Sequence, residues 1–122
     1  MKLSLNEQSK KQVFKQLYEE YYAPFCLYAK RFVDNKETRE DIVSEVFASL
    51  WNNMDNFEID PKTILGYLKM CVRNNCLNYL KHIQVEIEYS KNRTELRDWE
   101  IVTRIQTLED ESYSTIFSKD IM

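Results

Sequence analysis

Glycine is almost missing from this chain: Gly66 stands alone among 122 residues, and only two prolines, Pro24 and Pro61, accompany it. Hairpin turns and phosphate-cradling loops depend on glycine's access to unusual backbone angles, so strands and a Gly-rich nucleotide loop are both disfavoured and an all-α fold is expected. Long apolar runs are missing too. No segment approaches the roughly 18 apolar residues that a membrane helix needs, and "MKLSLNEQSKKQ" has basic residues but no apolar signal core behind them. A cytoplasmic protein without membrane insertion is therefore expected. The three cysteines, Cys26, Cys71 and Cys76, are odd in number and form no C-x-x-C pair, which suits reduced thiols better than a disulfide framework. Joined by the single His82 they match no common zinc spacing, and thiols of this kind pack as small hydrophobes, so neither a metal nor a cofactor is expected. Catalytic constellations are absent as well. There is no Ser or Cys paired with a base, and Glu86 and Glu88, two residues apart on a helix, face different ways, so the chain is not expected to be an enzyme.

One further absence is local. The chain is acidic overall, with 20 Asp and Glu against 17 Lys and Arg, yet no acid occurs from Pro61 to Val85. That window holds Lys62, Lys69, Arg73 and Lys81 together with Asn74, Asn75 and Asn78. What is present elsewhere suffices for one modest core, since 43% of the residues are apolar and 13% aromatic.

Helical periodicity organises the chain into four pieces. Phe14, Leu17, Tyr18, Tyr21, Phe25, Tyr28 and Phe32 recur at steps of mostly three and four, which predicts a long helix over about Ser9–Val33, with a kink or short break near Tyr22 to Pro24. In "DNKETRED" Thr38 is placed to cap a second helix from Thr38 to about Asn53, with Asp41 three residues on. Pro61 opens a third that reaches at least His82. The remainder is mixed in charge. Its one amphipathic pattern runs through Leu96, Trp99, Val102 or Thr103, and Ile105 or Gln106. The expected architecture is a three- to four-helix bundle over residues 1–83, followed by a partly helical linker over residues 84–122.

On a wheel of 100° per residue the second helix turns Val43, Phe47, Leu50 and Met54 inward, flanked by Val46 and Trp51. Asp41, Ser44, Glu45, Ala48, Ser49 and Asn52 share the opposite stripe, and Arg39 is the one cation nearby. Such a stripe is either a solvated helix face or a docking surface for a cationic partner, which unpaired carboxylates steer and orient. The third helix turns Leu65, Leu68, Val72, Cys76, Tyr79 and Ile83 inward. One flanking stripe carries Lys62, Lys69 and Arg73, the other Tyr67, Asn74, Asn78 and Lys81. Cations along one helix with no acids nearby suit a phosphate backbone, and amides beside an aromatic are the types that read base edges and stack on unpaired bases.

Three motifs in order carry a resemblance. They are the aromatic-rich helix with its internal proline, D-x-x-x-E-x-F-x-x-x-W at Asp41, Glu45, Phe47 and Trp51, and Y-L-x-x-x-x-x-N-x-x-x-N-Y-L at Tyr67, Leu68, Asn74, Asn78, Tyr79 and Leu80. Over about Val13 to His82 the chain resembles region 2 of the extracytoplasmic-function class of bacterial RNA polymerase sigma factors, in a Bacteroidetes-like form. The resemblance implies that the second helix docks on the clamp helices of the polymerase β′ subunit. Asp41, Ser44, Glu45, Ala48 and Trp51 would then lie on or beside that contact. Where the family usually has Gln this chain has Ser44, a shorter hydroxyl.

The resemblance further implies that the loop after the second helix and the helix that follows capture an unstacked base of the promoter −10 element and hold the melted strand. This assigns the loop from Asn53 to Lys62, with Asn56 and Phe57, to base selection, and Tyr67, Lys69, Arg73, Asn74, Asn78 and Lys81 to the helix side. Such factors are commonly bound by an anti-sigma factor and carry a region 4 for the −35 element. With no room for that region, residues 84–122 read as the linker toward it and the chain as a piece of a longer factor. The alternative is a helical adaptor that binds only protein; it would show no affinity for single-stranded promoter DNA at low salt, where phosphate contacts strengthen steeply.

Overall fold

The structure, a computed structural model, describes residues 7–56, 61–90 and 94–110. In chain order it contains α1 (Glu7–Ala29), α2 (Lys36–Asn53), a single 3-10 turn (Met54–Asn56), α3 (Pro61–Glu88) and α4 (Glu95–Asp110). No strand occurs among the described residues, and the all-α expectation holds.

The expected break in the first helix is absent. α1 runs unbroken from Glu7 to Ala29 with Pro24 inside it. Proline removes the amide that would bond the Glu20 carbonyl, but Glu20 is exposed and water can take up that carbonyl. α1 also ends four residues earlier than the pattern suggested. The chain turns after Ala29, whose carbonyl accepts from both Phe32 and Val33 at 2.9 Å, and this turn tucks Phe32 and Val33 into the core.

The cap of α2 differs as well. Asn35, not Thr38, holds the helix start: its Oδ1 accepts from the Thr38 amide at 2.9 Å and from the Thr38 hydroxyl at 3.2 Å, with Asn35 itself extended at φ −77°, ψ 121°. Either residue type can cap. Asn35 prevails because the turn brings it in extended, which starts α2 two residues earlier and places Glu37 in the first turn, at the positive end of the helix dipole.

The turn between α1 and α2 is clamped by three arginines. Arg39 donates to the carbonyls of Val33 at 3.3 Å and Asp34 at 3.0 Å. From α4, Arg104 donates to the Phe32 carbonyl at 3.3 Å and the Asp34 carboxylate at 3.1 Å, and Arg97 lies 3.9 Å from the same carboxylate. Carbonyls beside a buried Phe32 and Val33 need donors, and guanidinium groups supply several each.

The inner face of α2 is as expected: Val43, Val46, Phe47, Leu50 and Met54 are buried, joined by Ile42. α3 departs from expectation. Its fully buried line is Ile64, Leu68, Val72, Cys76 and Leu80, while Leu65, Tyr79 and Ile83 are only partly covered. Residues spaced strictly by four rotate about 40° per step around a helix of 3.6 residues per turn, so the buried line winds around α3 as different neighbours cover its successive stretches. α1 and α2 pack against it, and so does α4.

The inward face of α4 is corrected too. Ile101, Ile105 and Leu108 are buried, whereas Leu96 and Trp99 are about two-thirds exposed, at 67% and 65%. Apolar residues alone suggested the wrong face, because the docked face includes the clamping cations Arg97 and Arg104, one turn before Ile101 and one turn before Leu108. α3 continues through residue 83 to Glu88, and the three buried residues of α4 belong to the same core as Phe25, Phe47 and Leu68. The substitution Ile101→Ala is therefore expected to lower the stability of the whole chain by about 2–5 kcal/mol, as for aliphatic truncation in a close-packed core. Urea unfolding followed by circular dichroism checks this: one transition should move as a unit, and an unmoved main transition would mean that α4 melts separately.

Candidate functional site

Packing of α2 onto α1 decides what α2 shows to solvent. Phe47 is buried against Phe14, Tyr18, Tyr22 and Phe25 of α1, at ring separations of 6.1, 5.1, 6.3 and 6.0 Å. With that ring turned inward, Asp41, Ser44, Glu45 and Ala48 are all exposed on the far side. Among the described residues neither Asp41 nor Glu45 has an ion-pair partner. Arg39, the one cation that the sequence places near them, is committed to the turn carbonyls. The two carboxylates thus face solvent with no cation beside them among the described residues.

Trp51 is placed differently from the rest of this set. Its indole is half-buried, edge-on to Phe14 at 5.2 Å, with the Lys10 ammonium 4.4 Å above the ring. Lys10 is itself buried at 8% exposure and lies 3.7 Å from Asp55 in the 3-10 turn. Trp51 therefore pins the start of α1 to the end of α2 and offers an outside partner only part of its edge.

The second surface lies at the start of α3. A groove of about 660 Å³ is lined by Lys62, Thr63, Leu65, Gly66, Tyr67, Lys69 and Met70. Three residues singled out from the sequence, Lys62, Tyr67 and Lys69, meet there. Lys62 is exposed, Tyr67 half-buried, and Lys69 keeps only 8% of its surface in contact with solvent. Tyr67 is anchored by Cys71; burial first, and that neighbour second, push its phenol above the usual range. It stays a neutral ring with a hydroxyl at any physiological pH.

Farther along α3 the candidates separate. Arg73 is turned onto the C-terminal end of α4, where Nε and one terminal nitrogen donate to the Leu108 carbonyl at 3.1 and 2.7 Å. Its other terminal nitrogen donates to Asn74 Oδ1 at 2.9 Å. Lys81 pairs with Glu109 of α4 at 3.4 Å. Asn78 is exposed, and the Asn53 side chain donates to the Ser49 carbonyl at 2.9 Å, at the end of α2. Asn56 closes the 3-10 turn, and Phe57 lies outside the described residues, as do the other positions of the expected base-selecting loop through residue 60.

Some contributors escaped the sequence reading. Tyr22 sets its hydroxyl 3.4 Å from that of Ser44 and stacks on Tyr18 at 4.9 Å, so an aromatic pair from α1 borders the acidic stripe. No spacing rule links residues on two helices. Gly66 did leave a signal, an isolated glycine inside a helical pattern. Its φ is not positive, so it serves no turn; what its missing Cβ supplies is room in the groove wall. The thiols are quiet: burial raises Cys26 and Cys71 and pushes Cys76 up to about 12. No cluster of three or more His, Cys, Asp or Glu able to hold a metal exists among the described residues, and none of their helices is long and apolar enough to cross a membrane.

Set against known proteins, residues 17–84, more than half of the chain, match the family model for sigma-70 region 2. The matched segment runs from the middle of α1 nearly to the end of α3 and so takes in both surfaces. No curated protein and no solved structure matches significantly.

Glycine in a helix interior costs up to about 1 kcal/mol relative to alanine. Gly66→Ala should accordingly raise the urea midpoint of the chain while narrowing the groove. A lowered midpoint would show instead that the position is too tightly packed to admit a Cβ.

Proposed function

The chain belongs to the sigma-70 region 2 family, and on that premise we propose that it is a transcription initiation factor domain of the extracytoplasmic-function type, in a Bacteroidetes-like form. In this reading it docks on core RNA polymerase through α2 and holds the melted −10 strand of a promoter against α3. The observation that carries it is the presence of two surfaces of opposite chemistry on neighbouring helices of one core: unpaired carboxylates along α2, and a groove at the start of α3 inside a window without acids.

Asp41 and Glu45, one turn apart and exposed, are placed to meet cations of the β′ clamp helices, with Ser44 and Ala48 between them and Trp51 at the border. The short Ser44 side chain leaves space there, and the Tyr22 hydroxyl next to it supplies a second polar group to the same contact. Lys62 and Lys69 would hold strand phosphates at the groove. Tyr67 would offer a ring to an unstacked base, and Asn74 and Asn78 would offer amides to base edges. Asn53, Asn56 and Phe57 would serve base selection from the loop side in this reading. Lys81 is already paired with Glu109, which weakens it as a candidate for phosphate. No chemical step is assigned to any residue, and the division near residue 83 is one of role: recognition before it, bracing by α4 after it. An anti-sigma factor is the other protein partner in this reading; what supports it is the outward apolar face of α4 at Leu96 and Trp99. A cytoplasmic location follows from the polymerase as partner.

Reversing both charges, Asp41→Lys with Glu45→Lys, should abolish co-purification with core polymerase and leave circular dichroism unchanged. Like charges placed against the partner's cations cost several kcal/mol, roughly two to five per buried pair, while two solvent-facing positions barely affect the helix. Undiminished co-purification would remove α2 from the interface. Affinity for a single-stranded −10 oligonucleotide that is nil even at low salt would favour the protein-only adaptor instead.

A further inference from the structure

Arg73 has the chemistry of a phosphate ligand and the geometry of something else. Its guanidinium is half-buried, and all three of its nitrogens are used: two on the Leu108 carbonyl at 3.1 and 2.7 Å, the third on Asn74 Oδ1 at 2.9 Å. A guanidinium only donates, so the Asn74 atom that it touches must be the oxygen. That contact fixes the rotation of the amide and turns Asn74 Nδ2, with its two hydrogens, away from Arg73. Asn74 stands one turn beyond Met70 and two turns beyond Tyr67, both lining the groove, and so follows them along the same face of α3. The Leu108 carbonyl lies in the last turn of α4 and has no intrahelical donor among the described residues, and a cation there also meets the negative end of the helix dipole.

We propose that Arg73 is a positioning residue that couples the docking of α4 to base selection, by orienting Asn74 so that it presents hydrogen-bond donors to the strand. This rests on the proposed role of α3 in holding the −10 strand and adds how one of its readers is set. An asparagine free to rotate can offer oxygen or nitrogen to a base, and so discriminates poorly. One held by a guanidinium favours a base whose open edge carries acceptors, such as the N7 and O6 of guanine or the O4 of thymine, over one that must donate to it. The coupling is two-way. α4 in place keeps Arg73 off the phosphates and on Asn74, and loss of the Leu108 contact frees both side chains together.

The experiment uses the chain bound to core polymerase and fluorescent single-stranded −10 oligonucleotides with each base substituted in turn, over a series of salt concentrations. Arg73→Lys keeps the charge but cannot span Leu108 and Asn74 together. It is expected to lower discrimination at one base position by about three- to tenfold, the weight of roughly one hydrogen bond, and to leave the salt slope unchanged. Asn74→Asp keeps an oxygen for Arg73 and removes the donor, so thermal unfolding should remain at the wild-type temperature while the preferred base at that same position changes. Full discrimination in Arg73→Lys would overturn the proposal. So would a uniform loss of affinity in Arg73→Ala with a salt slope lower by about 0.7, the signature of one lost phosphate contact on a single strand. Absence of any base preference in the wild-type complex would overturn the −10 reading itself, and this inference with it.

Discussion

The burial of one ring, Phe47, sets the orientation of most of what is exposed. Four aromatic rings of α1 surround it, two of them edge-on and two tilted. Pairs of this kind add about 0.5–1.5 kcal/mol each beyond the area that they bury, so rotating α2 about its axis would forfeit several at once. Since Asp41, Ser44, Glu45 and Ala48 lie opposite Phe47 on the helix, locking the ring inward locks the carboxylates outward. The acidic surface is a consequence of the core, and its rigidity comes from there.

The second organising element is the short turn between α1 and α2. Its carbonyls and the Asp34 carboxylate collect Arg39 from α2 and Arg104 and Arg97 from α4. These contacts tie α4, from its first turn onward, to the turn between α1 and α2. They also withdraw three cations from places where they would have weakened the acidic stripe or added to a nonspecific basic surface. At its other end α4 takes up Arg73 and Lys81 through Leu108 and Glu109. Two other cations of the acid-free window of α3, Lys62 and Lys69, line the groove.

How much of this was legible in the sequence follows from which interactions are local. The helices, the inner face of α2 and the outward Asp41–Glu45 stripe rest on period and on contacts within one element, and all three were readable. The cap was misassigned to Thr38 because Asn35 lies three residues earlier and both types cap; the turn geometry decides between them. The face of α4 was misread because its docking is directed by Arg97 and Arg104, whose partners at Phe32 and Asp34 are 63 to 72 residues away along the chain. Arg73 looked like its neighbours Lys62 and Lys69 for the same reason. A cation stripe on a wheel does not reveal which members are spent on a carbonyl from another helix.

These commitments bear on why an acidic chain would keep one acid-free helix. Had all four cations of α3 faced solvent, the helix would have attracted any phosphate backbone, and the attraction would have carried no sequence information. Arg73 and Lys81 are held by α4, while Lys62 and Lys69 line the groove together with Gly66 and Tyr67. The chain as a whole carries a net charge of −3, which disfavours a phosphate backbone at long range. Intact duplex, with its bases stacked away, gains little from such a surface. An unpaired strand offers open bases, each worth roughly 1–3 kcal/mol when it stacks on an aromatic, and that is the chemistry on which the proposed role of α3 draws.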